Sequence, residues 1–303
     1  MRALVIGYGS IGKRHVRVLK DIGFIVAVVS AQEDVLELSY SDVEAALVDF
    51  SPDYVVICNA THLHFDIMDE LAIGDFQGNV LVEKPLFNTF SSVPKNNFAS
   101  IYVGYNLRFH PILSRLKSLL SVNQVLSTNV YVGQYLPDWR PGLDYRESYS
   151  AKKEQGGGVL RDLSHEMDYL IWLLGAWKSV TANGGTVSSL EITTEDVYTI
   201  LMSTQRCPIV SVQMSYLDRV KRRRIVINTE KHCLEIDLIN NSILIDDVKE
   251  VFDVGVDTTY SEMHLAVLQN DRSRLCSVDE AKNTIELIEV AERCNGRYWE
   301  YNE

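Results

Sequence analysis

With 303 residues, 46% hydrophobic and 23% charged, the chain has the make-up of a soluble globular protein too long for one ordinary core, and two domains are expected. Its formal charge of -12 argues against nucleic acid or an anionic membrane as partner, because phosphate-rich surfaces are bound through a basic face. Cys58, Cys207, Cys233, Cys276 and Cys294 are odd in number, scattered and without CxxC pairing, which excludes a zinc-finger spacing and reads as reduced thiols.

Ala3 to Ile6 is a short apolar run of the kind that forms a strand buried on both faces. It leads into Gly7-Tyr8-Gly9-Ser10-Ile11-Gly12, then into Lys13 to Gly23, where Val16, Leu19 and Ile22 recur at helical spacing. GxGxxG between a strand and a helix is the setting in which that motif binds a dinucleotide. Gly7 allows the tight turn, Gly9 lets the backbone approach a pyrophosphate, and Gly12 lets helix and strand pack closely. Tyr8, Ser10 and Ile11 complete the turn, and the helix start offers amides and a positive dipole end to the phosphates.

Gly23 to Ser30 reads as the second strand. An acid about twenty residues after the glycines often holds the ribose of NAD. Here the strand ends in Ser30-Ala31-Gln32-Glu33. Ser30 tolerates a phosphorylated ribose, Glu33 or Asp34 can reach a free one, and Lys13 and Arg14 are near enough to help a phosphate. NAD and NADP both stay open. Ser41-Asp42-Val43-Glu44 opens a helix through Phe50. Asp53 to Asn59 is a third buried strand, followed by Ala60-Thr61-His62-Leu63-His64 at the end where ligands of open α/β sheets sit. Phe65 to Gly74 reads as a helix, and Asn79 to Val82 as a strand that delivers Glu83-Lys84-Pro85. Asn59, Thr61, His64, Glu83 and Lys84 are thereby expected on the same side as the glycine turn, along the cofactor.

GYGSIGKRH, Thr61 with His64, and Glu83-Lys84-Pro85 on a strand end together resemble the Gfo/Idh/MocA family, the relatives of glucose–fructose oxidoreductase and inositol dehydrogenase. The resemblance covers nearly the full length. It implies an α/β chain: a Rossmann NAD(P)-binding domain, then an α+β domain with an open, mainly antiparallel sheet. It also implies NAD or NADP as cofactor and a sugar-type substrate. Lys84 inherits a place beside the nicotinamide and the substrate hydroxyl, where an ammonium can stabilise developing alkoxide charge. The family usually has a helix after the proline. Here only Leu86 to Ser100 intervenes, with Pro94 and several Asn and Ser residues, so that helix is expected to be shortened or lost.

Ile101 to Tyr105 is a strand, and Asn106-Leu107-Arg108-Phe109-His110-Pro111 closes the nucleotide domain, giving domains of 1–108 and 109–303. By resemblance this run is the family's junction, which puts Asn106 and Arg108 near a cleft as substrate contacts. His110 equally suits a cap for a helix from Ile112 to Leu120. Val125 to Gln134 alternates, as in a sheet with one open face. Tyr135 to Lys153 reads as a loop whose Trp139, Arg140, Tyr145 and Arg146 suit a sugar or nucleotide-sugar ligand, and equally a surface flap.

Gly156 to Tyr169 (GGGVLRDLSHEMDY) is a second chemical centre. The glycines let the chain approach the cofactor, and a helix follows through Leu174 to Gly175. Asp162 and His165, three apart, share one helix face, while Leu163, Met167, Leu170, Ile171 and Leu174 supply the buried side. A histidine near neutrality with a carboxylate to orient it is what a general base for alcohol oxidation needs. A helix-start Asp and a hydrogen-bonded core His fit the same residues. The resemblance favours catalysis and substrate contact for both, since the family carries a glycine-rich run followed by Asp and His here, usually four apart. The variant present resembles a subgroup linked to surface-sugar biosynthesis, and either Asp162 or Asp168 can partner His165.

Val197 to Gln205, Ile209 to Leu217, Arg224 to Asn228, Cys233 to Leu238 and Ser242 to Ile245 are strand-like runs joined by short polar turns, which implies an antiparallel sheet. One face would cover helices and the other could join copies into a homodimer or homotetramer. The basic cluster Lys221-Arg222-Arg223-Arg224 sits between strands and reads as a solvated hairpin end or subunit contact. Ser261 to Gln269 and a helix opened by Ser277-Val278-Asp279-Glu280 and running to Cys294 close the chain. No secretory signal, membrane span or metal-ligand set is read, and a cytoplasmic protein is expected. The expected chemistry is hydride transfer between a nicotinamide and a sugar hydroxyl or carbonyl, on a nucleotide- or amino-sugar among others. Two alternatives share the fold: a relative that retains NAD and cleaves glycosidic bonds by transient oxidation, and a non-catalytic dinucleotide sensor.

Overall fold

The computed structural model describes residues 1–32 and 35–296. Glu33 and Asp34, weighed above as ribose contacts, lie outside the described residues. The chain divides into two compact units, one of Met1–Phe109 with Gly255–Lys282, the other of His110–Val254 with the remainder.

The first unit runs β1 (Arg2–Ile6), α1 (Ser10–Asp21), β2 (Ile25–Val29), β3 (Leu38–Tyr40), α2 (Val43–Phe50), β4 (Tyr54–Ile57), α3 (His64–Ile73), β5 (Asn79–Val82) and β6 (Ser100–Val103). The second unit supplies α4 (Pro111–Ser121), β7 (Val125–Gly133), α5 (Val159–Asp162), α6 (His165–Leu174), β8 (Trp177–Gly185), β9 (Val197–Thr204), β10 (Ile209–Ser215), β11 (Arg222–Thr229), β12 (Cys233–Asp237), β13 (Ser242–Ile245) and β14 (Val248–Val251). The chain then returns to the first unit with α7 (Thr258–Gln269) and β15 (Cys276–Ser277), and the division falls within α8 (Val278–Cys294).

The first sheet has the order β15-β6-β5-β4-β1-β2-β3. Its strands are parallel except for β15, which runs against β6. Parallel strands linked by crossovers are covered on both faces, which is why they read as unbroken apolar runs. Ala3, Val5, Tyr54, Val56, Leu81 and Tyr102 share a core with Val16 and Leu19 of α1 and Met263, Ala266 and Val267 of α7. The intervening Leu4, Val55, Ile57 and Val80 are as deeply buried on the opposite face. Asp42 caps α2 through the Ala45 amide at 2.8 Å. No helix follows Pro85; residues 86–99 reach β6 without regular structure, the loss expected from their Pro, Asn and Ser content.

Residues 255–282, assigned above to the second domain, pack within the first unit. Their anchors are two residues expected to meet substrate. Arg108, 1% exposed, pairs with Glu280 at 2.9 Å and reaches the Leu275 carbonyl at 3.4 Å. Asn106 donates to Thr259 Oγ1 at 2.7 Å. Both side chains therefore fasten the returning segment.

The second sheet has the order β14-β13-β12-β11-β7-β10-β9-β8, antiparallel except for the parallel pair β7 and β10. His110 caps α4: its Nδ1 accepts from the Ile112 amide at 3.2 Å and its Nε2 meets Asn241 Oδ1 at 3.2 Å. Burial holds this imidazole below its ordinary pKa, so it stays neutral and able to accept. The basic cluster is paired within its own unit: Arg222 with Asp218, Arg223 with Glu166 at 2.7 Å, and Arg224 with Asp237 at 3.7 Å.

Removing the half-exposed acid takes a charge-assisted hydrogen bond from a buried guanidinium. Glu280→Ala is expected to cost about 1.5 kcal/mol in a urea melt. A loss within about 0.5 kcal/mol, the range of ordinary surface changes, would show that Arg108 does not anchor this segment.

Candidate active site

The glycine turn lies where the strand order of the first sheet reverses, between β1 and β4. Gly7 has φ +97°, a conformation that side chains rarely adopt, and a Cβ there would come within 2.7 Å of the Asn59 amide nitrogen. A Cβ on Gly12 would collide with the Gly7 carbonyl. Gly9 differs: nothing in the protein lies within 4 Å of the position its Cβ would take. Ser10 is exposed beside it, Ile11 packs on the core, and Tyr8 lies under the Lys13 ammonium, 5.2 Å from its ring centroid. The first turn of α1 carries no acid. Asn59 at the tip of β4 holds a buried Oδ1 with no hydrogen-bond partner among the described residues. Open space at Gly9, a helix start without negative charge and an unsatisfied amide oxygen together fit a dinucleotide.

Other expected cofactor contacts have protein partners. Ser30 Oγ accepts from the Gln32 amide at 3.1 Å and closes the turn after β2. Thr61 is buried in a short 3₁₀ turn. His64 is almost fully buried, with Nδ1 3.1 Å from the Leu86 carbonyl and Nε2 3.2 Å from the Asn59 carbonyl. Burial lowers its pKa and the two carbonyls oppose that only in part. A neutral ring donates to only one of these two carbonyls, and His64 sits buried between the segments that follow β4 and β5. Glu83 is also turned inward: Oε1 lies 2.9 Å from His15 Nε2, and Oε2 accepts the Lys84 amide at 3.1 Å. Within Glu83-Lys84-Pro85 the acid therefore serves the core, and Lys84 alone of the three keeps partial exposure.

In the second unit the chain from Val159 to Leu174 is two helices, broken at Leu163 and Ser164. Asp162 ends α5 and His165 opens α6, so the two stand on either side of a break and not within the one continuous helix expected. Asp162 accepts the Tyr216 hydroxyl at 2.6 Å, and the Tyr149 hydroxyl also bonds to it. Burial and then the Asp162 charge raise both phenols, keeping them protonated donors. Trp139 stands edge-on to Tyr216 at 5.1 Å and Arg140 lies over Tyr149 at 5.4 Å. Trp139, Arg140 and Asp162, read separately from sequence, thus form one cluster through two tyrosines that the sequence reading passed over. Gly157 and Gly158 pack against the Tyr149 carbonyl and the Glu195 carboxylate. Their close approach within this unit is to their own chain.

A parallel sheet of this order with a glycine turn at its reversal point defines a Rossmann dinucleotide-binding protein. Residues 1–95 match the family described as "Oxidoreductase family, NAD-binding Rossmann fold", and residues 122–235 match "GFO/IDH/MocA C-terminal domain". The chain belongs to the Gfo/Idh/MocA oxidoreductase family, with an NAD-binding N-terminal domain. It is 26% identical to the myo-inositol 2-dehydrogenase of Thermotoga maritima over 63% of this chain and 60% of that protein, under two thirds of the relative's length. Among solved structures it is similar to GenD2 from gentamicin A biosynthesis in complex with NAD (20% identity, 97% of this chain and 93% of that one, TM-score 0.81). It is also similar to the WlbA dehydrogenase of Bordetella pertussis in complex with NADH and UDP-GlcNAcA (19%, 97% and 95%, TM-score 0.79). At such identities these two likenesses establish the fold. Among the described residues no helix is long and apolar enough to cross a membrane.

The two inner glycines separate folding from binding. Gly9→Ala is expected to leave the melting temperature unchanged while weakening NADH binding at least tenfold by fluorescence titration, whereas Gly12→Ala lowers the melting temperature itself. Equal NADH affinity in Gly9→Ala would remove the pyrophosphate from this turn. His64 gives a pH test. Its folded pKa is depressed, so below about 6.5 the unfolded chain binds the extra proton and stability falls as pH drops, by at most about 1.4 kcal/mol per unit. His64→Gln should flatten the decline in melting temperature between about pH 7 and 5; an unchanged slope would mean that this ring titrates normally.

Proposed function

We propose that the chain is an NAD(P)-dependent dehydrogenase or reductase acting on a hydroxyl or carbonyl of a sugar derivative, a nucleotide- or amino-sugar among the candidates. The observation that carries the reading is the reversal point of the first sheet. The open Gly9 turn, the unsatisfied Asn59 and the strand end bearing Lys84 all belong to one unit of an NAD-binding oxidoreductase family. When bound, the nicotinamide supplies or accepts the hydride. Lys84 stabilises the negative charge that develops on the substrate oxygen, because an ammonium in a site of low dielectric interacts strongly with an alkoxide. His165 takes the hydroxyl proton in the oxidative direction and returns it in the reductive one. Asp162, fixed by the Tyr149 and Tyr216 hydroxyls, keeps a carboxylate three residues before His165. Trp139 and Arg140 offer a ring and a guanidinium to the substrate from the same cluster. The exposed sheet face bearing Asn129, Tyr131, Ser211 and Gln213 is the proposed contact between copies in a homodimer or homotetramer. Five free cysteines suit a reducing, cytoplasmic compartment.

The purified chain, incubated with NAD or NADP and a panel of free, amino- and nucleotide-linked sugars, is expected to reduce one nicotinamide with at least one of them, and light scattering should give a dimer or tetramer. Lys84→Ala and His165→Ala should each lower kcat by roughly 10²–10⁴ with NADH binding retained. Unchanged turnover in both variants would refute the assigned roles, and cofactor retained without net reduction would favour redox-assisted cleavage.

A further inference from the structure

Between the first sheet and α1 and α7 lies a row of polar side chains in an apolar core. Tyr54 Oη is 2.9 Å from His264 Nδ1, His264 Nε2 is 2.8 Å from His15 Nδ1, and His15 Nε2 is 2.9 Å from Glu83 Oε1. Tyr54, His264 and His15 are 0% exposed and Glu83 7%. The far Glu83 oxygen takes the Lys84 amide. The row joins β4, the returning helix α7, α1 and the tip of β5.

With Glu83 ionised and both imidazoles neutral, its protons have one self-consistent arrangement. The Lys84 amide can only donate, and a carboxylate can only accept, so His15 Nε2 carries a hydrogen toward Glu83. A neutral imidazole has one N–H, so His15 Nδ1 accepts from His264 Nε2–H. His264 Nδ1 then accepts the Tyr54 hydroxyl. An added proton on His15 would reverse His264 and leave the Tyr54 hydrogen without an acceptor among the described residues. Burial, and then His15, push His264 well below its usual pKa, and burial raises Tyr54, both in keeping with this order. The other titratable and charged groups facing the row fit as well. Tyr260 stands edge-on to His15 at 5.4 Å, Arg14 lies over Tyr260 at 4.7 Å, and Cys58 is kept a thiol by burial and by Glu83.

We propose that Tyr54, His264 and His15 are positioning residues: their ordered row of hydrogen bonds holds Glu83 on the Lys84 amide and so fixes the backbone from which Lys84 reaches the substrate oxygen. The proposal rests on the role given to Lys84 above. It makes the returning helix part of the active machinery, since His264 enters from α7.

Long-range ¹H–¹⁵N spectra of the full chain labelled with ¹⁵N-histidine test the order without reference to activity. His15 and His264, assigned through His15→Gln and His264→Gln, should both be Nε2–H tautomers, and His264 should not titrate between about pH 5.5 and 8.5, on either side of the ordinary histidine value. An Nδ1–H form or a titration of His264 in that window would overturn the row. His264→Phe keeps a ring and removes both nitrogens. We expect kcat to fall at least tenfold, NADH affinity to stay within threefold, and a new ionisation near pH 6.5, the free histidine value, to appear in the kcat profile as His15 loses its donor. His264→Gln, which restores a donor, should recover most of the loss. Should His264→Phe not fold, Tyr54→Phe carries the same expectation in milder form. Wild-type kcat and pH profile in a folded variant would overturn the positioning role. Wild-type turnover in Lys84→Ala would instead remove the role of Lys84 while leaving the tautomer result standing.

Discussion

The tightest constraint in the nucleotide-binding unit is backbone packed on backbone. Gly12 of α1 sits against the Gly7 carbonyl, and Gly7 against the amide of Asn59. Neither place admits a Cβ. This double contact holds the start of α1 to the ends of β1 and β4, where the sheet order reverses. It leaves the amides of the turn toward open space at Gly9. It also sets the rotation of α1, because residues three and four beyond Gly12 lie over the same face one turn on. His15 and Val16 are accordingly buried against the sheet while Lys13 and Arg17 stay in solvent. One contact thereby decides both the opening at Gly9 and the placing of a histidine in the core.

What could be read from sequence was whatever is encoded locally. β1, β4 and β5 are short apolar runs because both their faces are covered, and the glycine turn and the Asp42 cap announce themselves by residue type. The edge strands β3, β8 and β14 were missed: Leu38-Ser39-Tyr40 and Val248-Lys249-Glu250-Val251 are largely exposed, so no apolar pattern marks them. The larger miss was the return of residues 255–282. Its fasteners, Arg108 with Glu280 and Asn106 with Thr259, join positions more than 150 apart in the chain, and nothing local marks either end as a partner of the other. Asn106 and Arg108 are expected near substrate only by resemblance to the family's junction, which says nothing of a partner so far along the chain. His15 and His264 drew no reading at all, since a lone histidine among apolar residues looks like any core position.

The second unit shows a different limit. Spacing put Asp162 and His165 on one helical face, yet the helix breaks between them, and spacing arguments hold only within unbroken elements. The glycines before Asp162 serve the packing of Gly157 on Tyr149 and of Gly158 on Glu195. Asp162 takes two phenol hydrogen bonds, which satisfies a buried carboxyl group with neutral donors. Trp139 and Arg140 then pack on those phenols, so the aromatic loop is held to Asp162 through Tyr149 and Tyr216.

The row from Tyr54 to Glu83 links the fold to the chemistry. Polar groups buried this deeply stabilise less than apolar packing of the same volume, and they cost more than they return if any member is left unpaired. A core built for stability alone would place Leu or Phe at these positions, beside Val56, Leu81 and Met263. Here the donors run in one direction from a phenol in the middle of the core to the Glu83 carboxylate, which accepts the amide of Lys84 on its other oxygen. Any shift of α7, α1 or the tip of β5 would break one of its bonds and be felt at that amide. The core of the unit and the placement of Lys84 are for that reason a single structural problem.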